Sequence, residues 1–201
     1  MRATFLSCTL KRSPEQSNTE TLAASVIAEL EDRGVECEMI RLVDHKIPFG
    51  VETDMGEGDE WPEIYEKLVA SEILVICSPT WIGQPSAVAK LALERMDAMI
   101  GTTDEDGVPV AFNRVAGVIN TGTEDGAHHV IMEICGALGD IGYTIPPQSF
   151  TYWNLQPSAG EGFATAEQGR EWSLDTGKTM AQNLHSVARA LQENPIPSPP
   201  V

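Results

Sequence analysis

Three polar segments carry the residue types from which a binding site could be built. The first is Thr9-Leu10-Lys11-Arg12-Ser13-Pro14-Glu15-Gln16-Ser17-Asn18-Thr19. Its hydroxyls, its Asn and its backbone N–H groups meet the positive end of an expected helix dipole, the combination a phosphate monoester needs. Neither G-x-x-x-x-G-K-[ST] nor G-x-G-x-x-G occurs in it, so it is not a Walker loop or a dinucleotide turn. The competing account is that Ser17 or Asn18 only caps the helix, with Glu20 or Thr21 completing the turn.

The second segment is Ser78-Pro79-Thr80-Trp81-Ile82-Gly83-Gln84-Pro85-Ser86. A flat aromatic ligand wants an apolar or aromatic wall, backbone donors for its ring heteroatoms and a glycine that permits close approach. This segment offers all three, although a strand-to-helix turn with Trp81 packed on the core would read the same way. The third is Asn120-Thr121-Gly122-Thr123-Glu124-Asp125-Gly126-Ala127-His128-His129. Its glycines bracket a polar turn whose amides could face the polar edge of a ring, or which could simply be a solvated cap.

Other chemistries find less support. There is no G-x-S-x-G nucleophile elbow, and no cysteine has an adjacent histidine. His128 and His129 have no third metal ligand at usable spacing; His129 is kept only as a residue near the substrate side of the third segment. Asp104-Glu105-Asp106-Gly107 reads as a turn, because a calcium loop would place Thr102 and Asn113 where acids belong. Cys8, Cys37, Cys77 and Cys135 lie 29, 40 and 58 residues apart, with no metal-ligand spacing, and read as reduced thiols in a cytoplasmic protein. No metal site is expected.

Positioning the three segments requires a strand before each and a helix after each. Residues 3–8 form a short apolar run, and Leu22, Val26 and Leu30 then recur on one helical face that Gly34 closes. Residues 35–42 alternate, as an edge strand would. Trp61-Pro62 opens a helix expected to run to Ser71. Residues 73–77 are five consecutive apolar residues, three of them β-branched, which describes a central strand covered on both faces. A fourth strand is expected over 115–119 and a fifth over 144–150, the latter at an edge because Pro146 and Pro147 lack donors. The last helix is expected over 165–191, and residues 194–201, with four prolines in eight, read as a disordered tail. Strands alternating with helices predict an α/β fold: a doubly wound, five-stranded parallel sheet of order 2-1-3-4-5 in one domain over 1–193. Ligand crevices in such sheets lie beyond the carboxyl ends of the strands, where the three segments fall.

Composition limits the partners. With 30 Asp and Glu against 13 Lys and Arg, the 201-residue chain carries a formal charge of −17, which repels nucleic-acid backbones and anionic leaflets. Its five lysines fit either a salt-rich cytoplasm or an acidic lineage. The apolar residues 3–10 lack the flanks and cleavage site of a signal peptide, and no run approaches the roughly 20 apolar residues of a membrane span. A soluble protein that inserts in no membrane is the expectation.

Taken together, the S-N-T opening of the first helix, S-P-T-W-I-G-Q-P-S after the third strand and T-G-T-E-D-G after the fourth resemble the flavodoxin-like NAD(P)H-dependent FMN reductases and quinone reductases, over residues 2–192. The resemblance implies FMN as cofactor and NADPH or NADH as co-substrate. It implies that Thr9, Lys11, Ser17, Asn18 and Thr19 hold the phosphate. It also implies that Pro79, Thr80, Trp81, Ile82 and Gly83, with Thr121, Gly122, Thr123, Glu124, Asp125 and Gly126, flank the isoalloxazine. The first loop departs from the family in having Thr9-Leu10 where Gly is common and a longer path to Ser17. The compact cysteine cluster of related iron–sulfur flavoproteins is lacking.

On that reading the flavin carries the chemistry and no protein nucleophile is required. The amides of the third segment would stabilise charge on the reduced ring, with Glu124 and Asp125 expected to point outward. The resemblance further implies a homodimer or homotetramer and a small acceptor such as a quinone or free flavin. Tyr152 and Trp153 could cover a flavin from a neighbouring subunit or serve core and interface packing. The alternative is a flavodoxin-like electron carrier without NAD(P)H turnover, and a third reading is a flavin-free regulatory domain.

Overall fold

The strands follow the apolar runs. In the computed structural model, which describes residues 1–154, 162–166 and 168–199, β1 (Arg2–Ser7) lies between β2 (Glu36–Arg41) and β3 (Ile73–Trp81). Beyond β3 follow β5 (Val115–Gly122) and β6 (Phe150–Asn154), all parallel, in the order β2-β1-β3-β5-β6. Allowing for the short β4 (Gln84–Pro85), which folds back antiparallel on the end of β3, this is the predicted order.

Side chains alternate between two apolar layers, as a pleated strand requires. Phe5, Ile73, Val75, Cys77 and Ile119 meet α1 (Asn18–Glu31) and α5 (Glu171–Glu193). Leu6, Leu74, Ile76 and Val118 meet α2 (Trp61–Val69), α3 (Ala87–Arg95) and α4 (Ala127–Ile141) on the other face. Burial on both sides explains why β3 reads as an unbroken apolar run while β2, at the edge, alternates.

The last strand forms later than predicted. Pro146 and Pro147 can donate to no ladder, so residues 145–149 make a turn, with Gln148 at φ +49° and the Ser149 amide bonded to the Pro146 carbonyl. Thr144 keeps a single bridge to Val115, and continuous pairing resumes at Phe150, still at the sheet edge. β3 and β5 run further than expected, because Ser78 pairs with Asn120 and Pro79 with Thr121. Parts of two segments expected as loops are thus strand. α2 ends at Val69, and α5 begins at Glu171, with residues 163–165 in a turn instead of its first helical turn. Part of the expected tail is held, since the Asn113 side chain accepts from the Ile196 amide (2.6 Å) and donates to its carbonyl (3.1 Å).

A buried ion pair fixes the long connection between β2 and α2. Arg95 and Asp59 have fully buried side chains 2.6 Å apart. The guanidinium also donates to the carbonyls of Pro48, Glu52 and Thr53 and lies 5.5 Å from the Trp61 ring. Burial by itself would raise the Asp59 carboxyl, but bonds from Arg95 and from the Met55 and Trp61 amides outweigh it and hold the group below the usual carboxylate range. Among the described residues, no helix is long and apolar enough to cross a membrane.

Candidate active site at the carboxyl ends of the strands

Ser17 sets where α1 begins. Its side-chain oxygen accepts from the Glu20 amide (3.3 Å) and its carbonyl from the Thr21 amide (3.0 Å), so the amides of Asn18 and Thr19 have no partner among the described residues. Free donors at a helix N-terminus favour an anion. Lys11 lies across this loop, its ammonium 3.1 Å from the Gln16 carbonyl and 3.5 Å from Glu15. The loop hangs from the 3-10 turn that follows β2 (Leu42–Asp44): Asp44 accepts from both the amide and the hydroxyl of Ser13, which lowers its carboxyl below the usual range. Hydrogen bonding to Glu20 first, outweighing desolvation, raises the Arg41 guanidinium above its ordinary value.

The sheet brings the second and third segments to the same cleft. The hydroxyls of Thr19 and Thr121, 102 residues apart, are 2.6 Å from each other on its floor. Asn120 is completely buried and bonds the Ser78 carbonyl (2.9 Å) and the Thr80 hydroxyl, joining the ends of β3 and β5. Ser86 caps α3 at the Ala89 amide and donates to the Cys8 carbonyl at 2.7 Å, tying the first segment to the second. Cys8 and Cys77 lie beneath, where burial pushes both thiols up and keeps them protonated.

The cleft is lined by Thr9, Leu10, Lys11, Ser17, Asn18 and Thr19 on one side and by Pro79, Thr80, Trp81, Thr121, Gly122, Thr123 and Glu124 on the other, with Trp153 at its base. Trp81 is half exposed at 52%, available to a ligand rather than packed into the core. Ile82, Gly83, Asp125 and Gly126 do not line it. They join the loops that follow β3 and β5: Gly126, at φ +123°, has no room for a side chain, because a Cβ there would stand 2.8 Å from the Gly83 Cα. Asp125 is exposed and bonds the Gly126 amide (2.7 Å). Glu124 is among the residues that line the cleft, and its carboxylate, expected to point outward, accepts from the amide of the exposed Ile82, which is held at φ +54°. That amide has no other partner among the described residues, and the carboxylate satisfies it.

The Asn18 side chain is partly engaged, accepting from the Ala164 amide at 3.0 Å. His129 stands outside the lining, 3.1 Å from Gln84 and 3.4 Å from Glu133. Leu10 was not singled out by the sequence, and Trp153, expected to cover a flavin of a neighbouring subunit or to serve packing, instead lines this chain's own cleft. Trp153 is buried, packs edge-on against Phe163, and its indole nitrogen has no partner among the described residues. Placing the last strand at 150–154 would have found it, as the inward residue at that strand's carboxyl end. Tyr152 faces the opposite side, against His128 and Trp172.

A doubly wound sheet of this order, with its cleft at the carboxyl ends of β1, β3 and β5, is a flavodoxin-like domain. The profile of the NADPH-dependent FMN reductases matches residues 1–153, and the chain belongs to that family. FMN is the family's flavin and NAD(P)H its reductant. The chain is similar to the 8-demethyl-8-aminoriboflavin-5′-phosphate synthase of Streptomyces davaonensis, 32% identical over 205 residues, covering 97% of this chain and 80% of that protein. The crystal structure of RosB with bound 8-demethyl-8-formylriboflavin-5′-phosphate superposes with a TM-score of 0.89 at 31% identity, covering 98% of this chain and 82% of that one. The divalent metal cation transporter MntH of Mycobacterium bovis is 36% identical over 199 residues, covering 96% of this chain, which spans only 29% of that protein's length.

The residues present fit FMN. The cleft is lined by Lys11, by the half-exposed Trp81 indole, and by two helix amides and the buried Trp153 indole N–H that have no partner among the described residues.

Proposed function

We propose that this protein is an NAD(P)H-dependent FMN oxidoreductase that passes reducing equivalents to a small planar acceptor such as a quinone or free flavin. The observation that carries the reading is the meeting, in one cleft, of free α1 amides with the half-exposed Trp81. Thr9, Lys11, Ser17 and the Asn18 and Thr19 amides would hold the phosphate. Trp81, Thr80 and Pro79 would face the ring from one side and residues 121–124 from the other. Bound FMN supplies hydride chemistry, so the chain need provide no nucleophile or metal.

The chain's own work is positioning. Trp81 excludes water from one face, and the backbone amides of the 121–126 turn offer fixed donors where negative charge collects on a reduced ring. With its carboxylate bonded to Ile82, Glu124 is restrained rather than free to approach that charge. A homodimer or homotetramer in the cytoplasm is part of the same proposal.

The test is the visible spectrum after incubation with excess FMN and desalting, followed by anaerobic titration with NADH and NADPH. Retained flavin that bleaches supports the oxidoreductase. Retained flavin that resists both nicotinamides supports the electron carrier, and failure to retain flavin removes the assignment.

A second reading is favoured by the similarity to the Streptomyces synthase: the flavin would be a substrate modified in the cleft rather than a resident cofactor. Mass analysis of FMN recovered after aerobic incubation with an amino donor separates the two. Unchanged mass supports the cofactor role, and a product altered at the ring supports the substrate role.

A further inference from the structure

Glu20 stands in the first turn of α1, the turn whose free amides receive the phosphate in the reading above. A carboxylate there works against a phosphate dianion, and in a chain of net charge −17 no general positive field offsets it. Arg41 does so locally. It is the last residue of β2, an edge strand that contributes nothing to the cleft lining. Its Nε donates to Glu20 Oε1 at 2.7 Å and its Nη2 donates to Glu20 Oε2, a bidentate pair with side chains only 14% and 20% exposed. Screening by salt is correspondingly weak.

The same guanidinium also shapes the loop. Its Nη1 donates to the Glu15 carbonyl at 3.0 Å and to the Lys11 carbonyl at 3.4 Å. In a trans peptide the N–H points opposite to the C=O, so fixing these two carbonyls on Arg41 turns the amides of Arg12 and Gln16 away from it. Neither amide has a partner among the described residues. Ser7, paired in register with Arg41, completes the anchor by donating its hydroxyl to Glu20 Oε1.

We propose that Arg41 is the positioning residue that makes the cleft selective for a phosphorylated flavin, by neutralising Glu20 and by holding residues 11–16 with their donors free. This rests on the phosphate assignment above, and it extends that assignment to a residue outside the cleft.

The experiment measures dissociation constants of FMN and riboflavin by quenching of flavin fluorescence, for the unaltered protein and for Arg41→Met, Arg41→Lys and the double variant Glu20→Gln/Arg41→Met. Arg41→Met is expected to weaken FMN about tenfold, as loss of a charge-assisted pair beside the ligand implies, while riboflavin affinity stays within about twofold. Arg41→Lys, which keeps the charge but not the fork, falls between. The double variant regains part of the loss, because the uncompensated carboxylate is gone. Equal losses for FMN and riboflavin, or an unchanged preference in Arg41→Met, overturn the inference while leaving the phosphate site standing. Equal affinities for FMN and riboflavin in the unaltered protein overturn the phosphate assignment itself.

Discussion

The Glu124 carboxylate accepts a hydrogen bond from the Ile82 amide at 2.7 Å, joining two loops 42 residues apart in the chain. Behind it, Gly126 and Gly83 pack backbone to backbone. The two loops therefore form one wall before any ligand arrives, and less ordering has to accompany binding. Glu124→Ala should weaken FMN and riboflavin alike, by roughly 1 kcal/mol or severalfold, as loss of one hydrogen bond at a partly exposed site predicts. Fluorescence titration with both flavins checks this, and a loss confined to FMN would contradict the placement of this wall at the ring.

Trp81 offers its indole at the mouth of the cleft. Trp81→Ala should raise the FMN dissociation constant by the worth of an aromatic contact, roughly 0.5–1.5 kcal/mol, with little change in melting temperature because the ring is half exposed. Unchanged FMN affinity would place the isoalloxazine elsewhere.

Gly126→Ala introduces a Cβ against the Gly83 backbone at a φ that side-chain-bearing residues rarely adopt. The loops must separate to admit it. The expected result is a stability loss of about 1–3 kcal/mol in urea denaturation, together with weakened flavin binding. Retention of both would mean that the two loops are not rigidly joined.

Breaking the Arg95–Asp59 pair should cost more. Arg95→Met leaves a buried carboxylate and removes the donors to Pro48, Glu52 and Thr53, so a loss of about 3–5 kcal/mol is expected in chemical denaturation. Limited proteolysis should then cut within residues 46–60. A variant as stable as the parent would show that Trp61 and its neighbours hold the connection unaided.

The same pair gives a pH dependence of defined sign. The Asp59 carboxyl titrates lower in the folded state than in the unfolded one, so the unfolded chain takes up the proton first. Its contribution is complete above the ordinary carboxylate value of about 4 and is lost as pH falls through the lower folded value. Asp44, lowered by Ser13, acts in the same direction. Stability measured from pH 6 downward should fall below about pH 4, and Asp59→Asn should flatten part of that slope; an unchanged slope would remove Asp59 from the account.

Much of the fold was legible because its signals are local. The run at residues 73–77 and the helical recurrence of Leu22, Val26 and Leu30 depend only on neighbours in the chain, and βα alternation leaves few ways to stack them. Parallel strands place all their carboxyl ends at one edge, so three segments far apart in sequence could be assigned to one cleft without a structure.

Partner choice across space was not legible. Nothing near Arg41 in sequence announces that it reaches Glu20 and the carbonyls of Lys11 and Glu15, nor does Glu124 announce its bond to Ile82. Trp153 reached the cleft only because two prolines delayed the last strand and shifted which residue ends it. The sequence by itself determined the order of the elements and the chemistry of each loop, since both follow from periodicity and residue type. Only the tertiary structure decided which charges are paired, which amides stay free and which indole lies at the base of the cleft, because those depend on through-space distances that chain-local patterns do not encode.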